Sequence, residues 1–301
     1  MIGLDLDSLF GLAKVKAREG GGHYELMLTE LLHLEILQAM LEAGALETLT
    51  LRGATALRMC YWRLGFSGDL EFVSGRQFES SALDGLGDVI ARRVARFYGL
   101  EVELGIHTPT PGEGVQVGNW RAKLAIPSSK GSLFPAHAVN IEVAAVPART
   151  RELLNVQSAF SEWPATGQLP ASYNALLVPT ESLEEIAADK VVAFGARKDI
   201  DHREVGDLWL LNLHRVAAPA ALVRQKLDDS GLDGVQFVAN ARARLAKILD
   251  PGYHAIFLGE IERFLDEHTF AMLARGGEAG SMLGGAAALV ESAISVVGEP
   301  Q

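Results

Sequence analysis

The chain has 301 residues and a formal net charge of −11, because 27 Lys and Arg stand against 38 Asp and Glu. Hydrophobic residues make up 49% and charged residues 22%, values near the average of globular domains, which excludes collagenous, coiled-coil and disordered classes. The single cysteine, Cys60, excludes an intramolecular disulfide framework and is typical of a reducing compartment. The acidic balance disfavours nonspecific adhesion to nucleic acid but is compatible with a local basic patch.

The two ends of the chain indicate a cytoplasmic protein. The first seven residues carry acidic rather than basic side chains, unlike a secretory signal. Residues 280–298 form the longest weakly polar run. They include Glu291 and two adjacent glycines, and they fall short of the roughly 20 strongly apolar residues of a membrane span. We therefore expect no membrane association.

Hydrophobic spacing in the first half of the chain predicts a mixture of helices and strands. Apolar residues recur at helical intervals after Tyr24, and the stretch around Glu71 alternates polar and apolar residues as a half-buried strand does. The predicted helices are 7–18, 24–43, 55–63 and 78–98, and the predicted strands are 46–51, 69–73, 100–107, 115–126 and 138–146.

The second half of the chain is predicted to be almost wholly helical. Prolines and a glycine cluster between residues 163 and 179, which favours a domain boundary there. We predict an α+β domain over residues 1–178 and a helical domain over residues 179–301. The predicted helices of the second domain are 183–196, 205–214, 218–229, 235–249 and 260–275.

The residues with most chemical information lie between positions 51 and 72. A strand ends at Gly53, and a helix follows whose first turn includes the hydroxyl of Thr55. The next strand presents Asp69 and Glu71, and residues i and i+2 of a strand point to the same face. Two carboxylates suit a hard divalent cation, and a helix N-terminus offers N–H donors to phosphate oxygens.

A third acidic residue would complete a site for two metal ions. Glu142 lies between apolar residues of a predicted strand and is our candidate. The combination suits in-line phosphoryl or nucleotidyl transfer, in which two metals stabilise the attacking and leaving oxygens. Each piece also has a simpler interpretation, because acidic residues on an amphipathic strand are commonly a solvated face.

Two separated motifs resemble the AbiEii/AbiGii-type nucleotidyltransferases, toxin components of bacterial toxin–antitoxin and phage-abortive-infection systems. The first motif covers residues 52–57 and 66–72, where the family has a Gly-Gly-Thr-Ala-Leu run and then an Arg-x-Ser-x-Asp-Leu-Asp-Phe run. The second covers residues 185–197 and 203–208, where the family has Ala-x-x-Lys with a later Arg, then Arg-Asp-x-x-Asp-Leu. The resemblance implies a nucleotidyltransferase-like mixed sheet with helices, followed by a mostly helical domain.

The chain departs from the family pattern at four positions. Ala54 replaces the second glycine, Gly65 stands in place of an arginine, and Glu71 and Glu204 replace aspartates. Glu71 keeps the charge of a metal ligand and lengthens it by one methylene. Ala54 requires an ordinary backbone conformation where glycine is free.

The resemblance also implies roles for individual residues. Asp69, Glu71 and Glu142 would bind the metals, and Glu142 could also activate the acceptor hydroxyl. Lys190 would neutralise phosphate charge, and Asp207 would orient it or support the site from the helical domain. The residues implied in binding the nucleotide are Gly53, Ala54, Thr55, Ser67 and Lys190.

Basic residues of the helical half are candidates for RNA binding, although surface ion pairs are their simpler interpretation. Arg197 and Arg203 lie in the second motif. Arg242 and Arg244 fall near one face of a predicted helix. The predicted strip is completed by Lys247 on that helix and by Arg224 and Lys226 on the helix before it.

These observations predict a cytoplasmic toxin that uses Mg²⁺ or Mn²⁺ to transfer a nucleotide from an NTP to an RNA hydroxyl. The resemblance implies a cognate antitoxin as partner, and a tRNA 3′ end is the acceptor that we favour. Two alternatives stay open at this point. One is a catalytically weakened relic that binds RNA or antitoxin, and the other is a nucleotidyltransferase acting on a small molecule.

Overall fold

A computed structural model describes residues 12–18, 24–61, 67–98, 103–107, 120–126, 137–157, 175–265, 267–275 and 277–297. The described residues form two compact units. The first ends at Thr180 and the second begins at Glu181. The first unit is built on a mixed sheet and the second is helical, so the predicted α+β class is confirmed.

The described part of the first unit contains a sheet of seven strands, in the order β3-β4-β5-β2-β1-β7-β6. The central pair, β2 and β5, is parallel, whereas β1 pairs with β2, and β4 with β5, in antiparallel fashion. The strands are β1 (Thr50–Arg52), β2 (Leu70–Val73), β3 (Glu103–His107), β4 (Trp120–Ile126), β5 (His137–Ala144), β6 (Glu152–Asn155) and β7 (Leu177–Thr180).

Alternation of residue type explains how β2 and β5 lie in the sheet. Leu70 and Phe72 are buried, as are Ile141 and Val143 at the matching positions of β5. Glu71 lies between the buried positions of β2 and is only half-buried. Because side chains alternate along a strand, one face of these strands joins the core and the other carries polar groups.

Among its described residues the first unit has four α-helices: α1 (residues 12–18), α2 (Tyr24–Glu42), α3 (Gly53–Cys60) and α4 (Leu86–Tyr98). Helix α2 packs against α4 and β5 and is buried around its whole circumference between Met27 and Met40. Its buried acids have cationic partners: Glu35 pairs with Arg93, and Glu30 lies 2.9 Å from Arg58. These pairs satisfy charges that would otherwise be costly to bury.

Several predicted elements of the first unit are corrected. Residues 46–51 are not one strand, since a 3₁₀ helix (Ala45–Glu47) precedes β1. The predicted helix 78–98 is a 3₁₀ turn (Ser80–Leu83) followed by α4, because the chain bends at Gly85, whose φ of +78° is left-handed. Strands β6 and β7 were not predicted.

The second unit contains seven helices among its described residues, and Ser182 caps the first of them by accepting a hydrogen bond from the Glu185 N–H. The predicted helix 260–275 is wrong, because two helices and a short 3₁₀ turn (Glu262–Phe264) occupy this region. The helices are α5 (Leu183–Ala196), α6 (His202–Leu213), α7 (Ala220–Asp229), α8 (Gly234–Ile248), α9 (Tyr253–Ile261), α10 (Glu267–Arg275) and α11 (Glu278–Val297).

Helix α11 is the one described helix long and apolar enough to cross a membrane by length and composition, with a mean hydropathy of 1.5. It packs against α6, α7 and α8. Its buried residues, among them Leu283, Val290 and Ile294, recur at helical spacing along one side. These contacts are those of a core helix, which is the simpler explanation of its composition.

A buried lysine joins α5 to α7. The ammonium of Lys226 lies 2.6 Å from Glu185, 3.1 Å from Asp189 and 3.3 Å from Glu181. Burial alone would lower the pKa of Lys226, but the three carboxylates raise it above its ordinary value. Lys226 is therefore charged in the folded protein and compensates several buried acids at once.

Replacement of this lysine should destabilise the helical unit. In Lys226→Met the three carboxylates lose their shared cation, and loss of one partner from a buried ion pair costs about 3–5 kcal/mol. The measurement is urea unfolding of the full chain followed by circular dichroism. Lys198→Met, which removes an exposed lysine, is the matched control and should leave the midpoint unchanged. Equal midpoints for the two variants would contradict this account.

Candidate active site

The paired strands β2 and β5 bring the predicted acidic residues to one face of the sheet. Glu71 and Glu142 are direct partners in the parallel register, so their side chains emerge next to each other. Asp69 comes two residues before Glu71, and its Oδ1 accepts a hydrogen bond of 2.8 Å from the amide of Asn140. The structure thus places Asp69, Glu71 and Glu142 in one neighbourhood.

The turn from β1 into α3 lies against this acidic face. Gly53 has a left-handed φ of +72°, and a Cβ at this position would lie 2.9 Å from a carboxylate oxygen of Glu71. The left-handed backbone favours glycine, and a larger residue would also displace the Glu71 carboxylate. Among described residues other than glycine, only Arg215 has a positive φ, so Ala54 adopts an ordinary conformation and its departure from the family pattern causes no strain.

The hydroxyl of Thr55 points inward, toward the entrance to β2. Thr55 is buried, donates a hydrogen bond to the main-chain carbonyl of Asp69 and lies 2.7 Å from the hydroxyl of Ser67. From the other side, the ring of His33 lies 3.3 Å from the carbonyl of Gly68. These contacts fix residues 67–69, so the Thr55 side chain positions Asp69. Phosphate binding by the N–H groups of the first turn of α3 stays a prediction.

The ligand chemistry of this face suits a hard cation, since its polar groups are carboxylate and amide oxygens. Within the described ranges, however, no three His, Cys, Asp or Glu side chains lie close enough together to hold a metal ion. The Glu71 carboxylate turns toward Arg52, with 3.9 Å between Oε2 and Nε. A two-carboxylate site remains consistent with Mg²⁺, which commonly takes one or two carboxylates and completes its shell with water and phosphate oxygens.

In the second unit, Lys190 and Asp207 form a buried pair. Their charged atoms are 3.0 Å apart, and Lys190 also lies 3.9 Å from Glu204. Lys190 is 8% exposed and Asp207 is 2% exposed, so both members of the pair are buried. Burial raises the pKa of Glu204, although Lys190 and Arg197 favour its charged form.

Arg197 and Arg203 extend this network toward the surface. Arg197 lies 3.0 Å from Glu204 and 3.4 Å from Asp201, and Arg203 lies 2.9 Å from Asp201. Burial would raise the pKa of Asp201, but the hydrogen bonds and charge of Arg203 bring it below its ordinary value. Both arginines are about half exposed, so they can also face a ligand.

The remaining basic candidates do not form the predicted strip. Lys226 is buried among carboxylates, which contradicts its place on an RNA-facing surface. Arg244 donates to the main-chain carbonyl of Phe194, and Arg224 donates to that of Val296. Arg242 and Lys247 are exposed, and the RNA-binding roles of Arg242 and Arg244 stay predictions.

Comparison with known families decides the class of this site. The family described as "Nucleotidyl transferase AbiEii toxin, Type IV TA system" matches residues 35–275. The chain belongs to the AbiEii nucleotidyltransferase toxin family. It is therefore a nucleotidyltransferase, and the resemblance seen in its two motifs is confirmed.

Two crystal structures from Helicobacter pylori are similar to this AbiEii chain. JHP933 shares 14% identity, with a TM-score of 0.49 over 91% of this chain and 95% of that one. A proposed nucleotidyltransferase also shares 14% identity, with a TM-score of 0.43 over 90% of this chain and 97% of that one. No curated protein matches the chain.

Two residues of the AbiEii site were not predicted from the sequence. Asn140 shares a strand face with Glu142, because the two are i and i+2 of β5, and this spacing could have identified it. His33 lies inside the apolar helix α2, and nothing in its sequence context indicates a contact with Gly68. Gly65, one of the departures from the family pattern, lies outside the described residues.

The positioning contact of Thr55 can be tested with a nearly isosteric substitution. Thr55→Val removes the hydroxyl that holds the Asp69 carbonyl, and loss of one neutral hydrogen bond of about 1 kcal/mol predicts a roughly 3- to 10-fold lower kcat. The KM for NTP should change little, because the first-turn N–H groups remain. Steady-state kinetics are measured beside Thr48→Val, an exposed control. An unchanged kcat would remove this role from Thr55.

Proposed function

We propose that this toxin transfers a nucleotide from an NTP to an RNA hydroxyl, with the 3′ end of tRNA as the favoured acceptor and Mg²⁺ or Mn²⁺ as cofactor. The first unit would be its catalytic domain. The observation that carries the proposal is the face shared by Asp69, Glu71 and Glu142 beside the Gly53 turn, in a chain of the AbiEii family. Phosphate and metal chemistry both need this combination of carboxylates and helix N–H groups.

In the proposed reaction the acceptor hydroxyl attacks the α-phosphorus of the NTP, the bond to the bridging oxygen breaks, and pyrophosphate leaves. Asp69 and Glu71 would hold the metal, which when bound neutralises charge on the phosphate oxygens. Glu142, the register partner of Glu71, would accept the proton of the hydroxyl. Thr55 and Asn140 would keep the Asp69 carboxylate oriented. The N–H groups after Gly53, with Ala54 and Ser67, would bind the triphosphate.

The helical unit would contribute the cation that phosphate requires. Asp207 holds the Lys190 ammonium at 3.0 Å and fixes its position. Arg197 and Arg203, half-exposed at the outer end of the same network, would meet further phosphates of NTP or RNA. An ammonium is a compact charge suited to this task.

A cognate antitoxin is the partner implied by the family, and we propose a cytoplasmic location for the toxin. The ordinary backbone at Ala54 and the retained carboxylate at Glu71 favour an active enzyme over a relic. The small-molecule alternative is tested by offering an aminoglycoside in place of RNA. If label is transferred to the aminoglycoside and not to RNA, the substrate is a small molecule rather than RNA.

Loss of the Asp69 carboxylate charge should abolish transfer. In Asp69→Asn, removal of metal-mediated charge stabilisation worth several kcal/mol predicts at least a roughly 100-fold lower rate. The assay follows label from α-labelled NTP into total RNA or purified tRNA, and melting curves check the fold. Asp84→Asn alters an exposed aspartate in the same unit and should transfer normally. Full transfer by Asp69→Asn would refute the proposal.

The phosphate role of Lys190 can be separated from its structural role. Lys190→Gln removes the ammonium that lies 3.0 Å from the buried Asp207 carboxylate, whereas Glu204 keeps Arg197, so the variant should lower both stability and NTP affinity. Lys190→Gln/Asp207→Asn removes the charge of that carboxylate as well and should recover much of the midpoint. NTP affinity should stay roughly 10- to 100-fold below wild type in both, as expected for a lost charge-assisted contact. Recovery of affinity together with stability, measured by calorimetry, would withdraw the phosphate role.

A further inference from the structure

The helical unit contains a pocket that the reaction described above does not use. It opens between α6, the 3₁₀ turn after α9, α10 and α11. Two aromatic side chains, Trp209 and Phe264, are half-buried in its wall. The apolar part of the lining includes Trp209, Leu210, Ile261, Phe264, Leu273 and Met282.

Charged groups stand at the edge of this apolar surface. Arg203 lines the pocket, and its guanidinium carbon lies 5.1 Å from the centroid of the Phe264 ring. Asp207 also lines the pocket. A ligand that fits such a lining is flat and largely apolar, and it carries polar groups at one edge. A nucleobase has this chemistry, since bases stack on aromatic rings and on arginine planes.

The position of Asp207 links the pocket to the proposed phosphate site. The same carboxylate that lines the pocket lies 3.0 Å from the Lys190 ammonium. In a nucleotide, only the sugar separates the base from the phosphates. A phosphate near Lys190 and Arg203 would therefore leave its base within reach of Trp209 and Phe264. The anionic phosphates would meet the two cations, and the base would meet the apolar lining.

We propose that this pocket holds the base of the incoming nucleoside triphosphate and thereby determines which NTP the enzyme prefers. The inference rests on the proposed function, because it places the base by reference to Lys190. It adds a specificity site to the helical unit, formed by Trp209, Phe264 and the surface of α6 at Gly206. The enzyme would discriminate among bases by how well each fits the pocket and by its contacts with the charged lining residues Arg203 and Asp207.

Gly206 offers a direct way to fill the pocket. It lines the pocket within α6, and a Cβ added to it would meet no described atom within 4 Å. Gly206→Ala and Gly206→Phe form a graded series, and both remove a helix-destabilising glycine, so thermal midpoints should not fall below wild type. Gly259→Phe is the matched control, because Gly259 is exposed on α9, where an added Cβ also meets open space.

The experiment measures the affinity of each variant for ATP, CTP, GTP, UTP and inorganic triphosphate by calorimetry with Mg²⁺. Gly206→Phe should lose roughly tenfold or more in affinity for the preferred NTP, the order expected for one lost base stack, and should bind inorganic triphosphate as wild type does. The ratio of affinities between the preferred NTP and the other three should also be smaller in Gly206→Phe than in wild type. Gly259→Phe should match wild type throughout.

The opposite results are equally distinct. If Gly206→Phe binds all four NTPs with wild-type affinity, the base does not occupy the pocket. A second outcome would also overturn the proposal. If Gly206→Phe binds NTP normally but loses affinity for RNA or for the antitoxin, then that molecule, and not the base, occupies the pocket. In these cases the transfer reaction itself stands. Failure of the wild-type enzyme to bind any NTP would instead refute the proposed function together with this inference.

Phe264→Ala provides a second variant that does not depend on where a new side chain points. It removes one ring of the proposed stacking surface, so it should weaken NTP binding and leave inorganic triphosphate binding unchanged. Quenching of Trp209 fluorescence by NTP, absent in Trp209→Phe, reports occupancy of the pocket directly. If NTP binds to the wild-type enzyme without quenching Trp209 fluorescence, the pocket does not hold the base.

Discussion

The left-handed turn at Gly53 fixes the geometry on which the acidic face depends. The chain leaves β1, turns at Gly53 with a φ of +72° and enters α3, and a Cβ added at Gly53 would lie 2.9 Å from the Glu71 carboxylate. This close approach brings the first turn of α3 next to β2. Two residues later Thr55 reaches the Asp69 carbonyl. Helix N–H groups and carboxylates are thus positioned by one short stretch of chain.

Local pattern was enough to predict the strands that carry this face. Alternation identified β2, and the i, i+2 relation placed Asp69 and Glu71 on the same side. The register that sets Glu142 beside Glu71 could not be predicted, because parallel pairing joins segments about seventy residues apart and leaves no local signal. Strand β7 escaped prediction for another reason: it contains Pro179, a residue rarely found inside a sheet.

Charged residues of the helical unit were the hardest to interpret from sequence. Lys190 and Lys226 each lie on a helix with a mixed polar pattern, which is typical of a solvated face. In the fold, neighbouring helices supply their partners: α6 brings Asp207 to Lys190, and α5 brings a row of carboxylates to Lys226. Whether a lysine is buried thus depends on helix packing, which the sequence of one helix does not contain. The bounds of α5, in contrast, depend on residues adjacent in the chain, and the predicted helix 183–196 is confirmed.

The core of the helical unit is completed by its last helix. Helix α6, which carries Asp207, packs along α11, and the side of α11 from Ala279 to Ile294 is buried. Because α11 is the last described helix, the face of α6 that it covers stays exposed until residues 278–297 have been synthesised. The Lys190–Asp207 pair joins α5 to α6, and both helices precede α11 in the chain. A chain whose translation stops before α11 would therefore keep the helices that form this pair and expose an apolar side of α6.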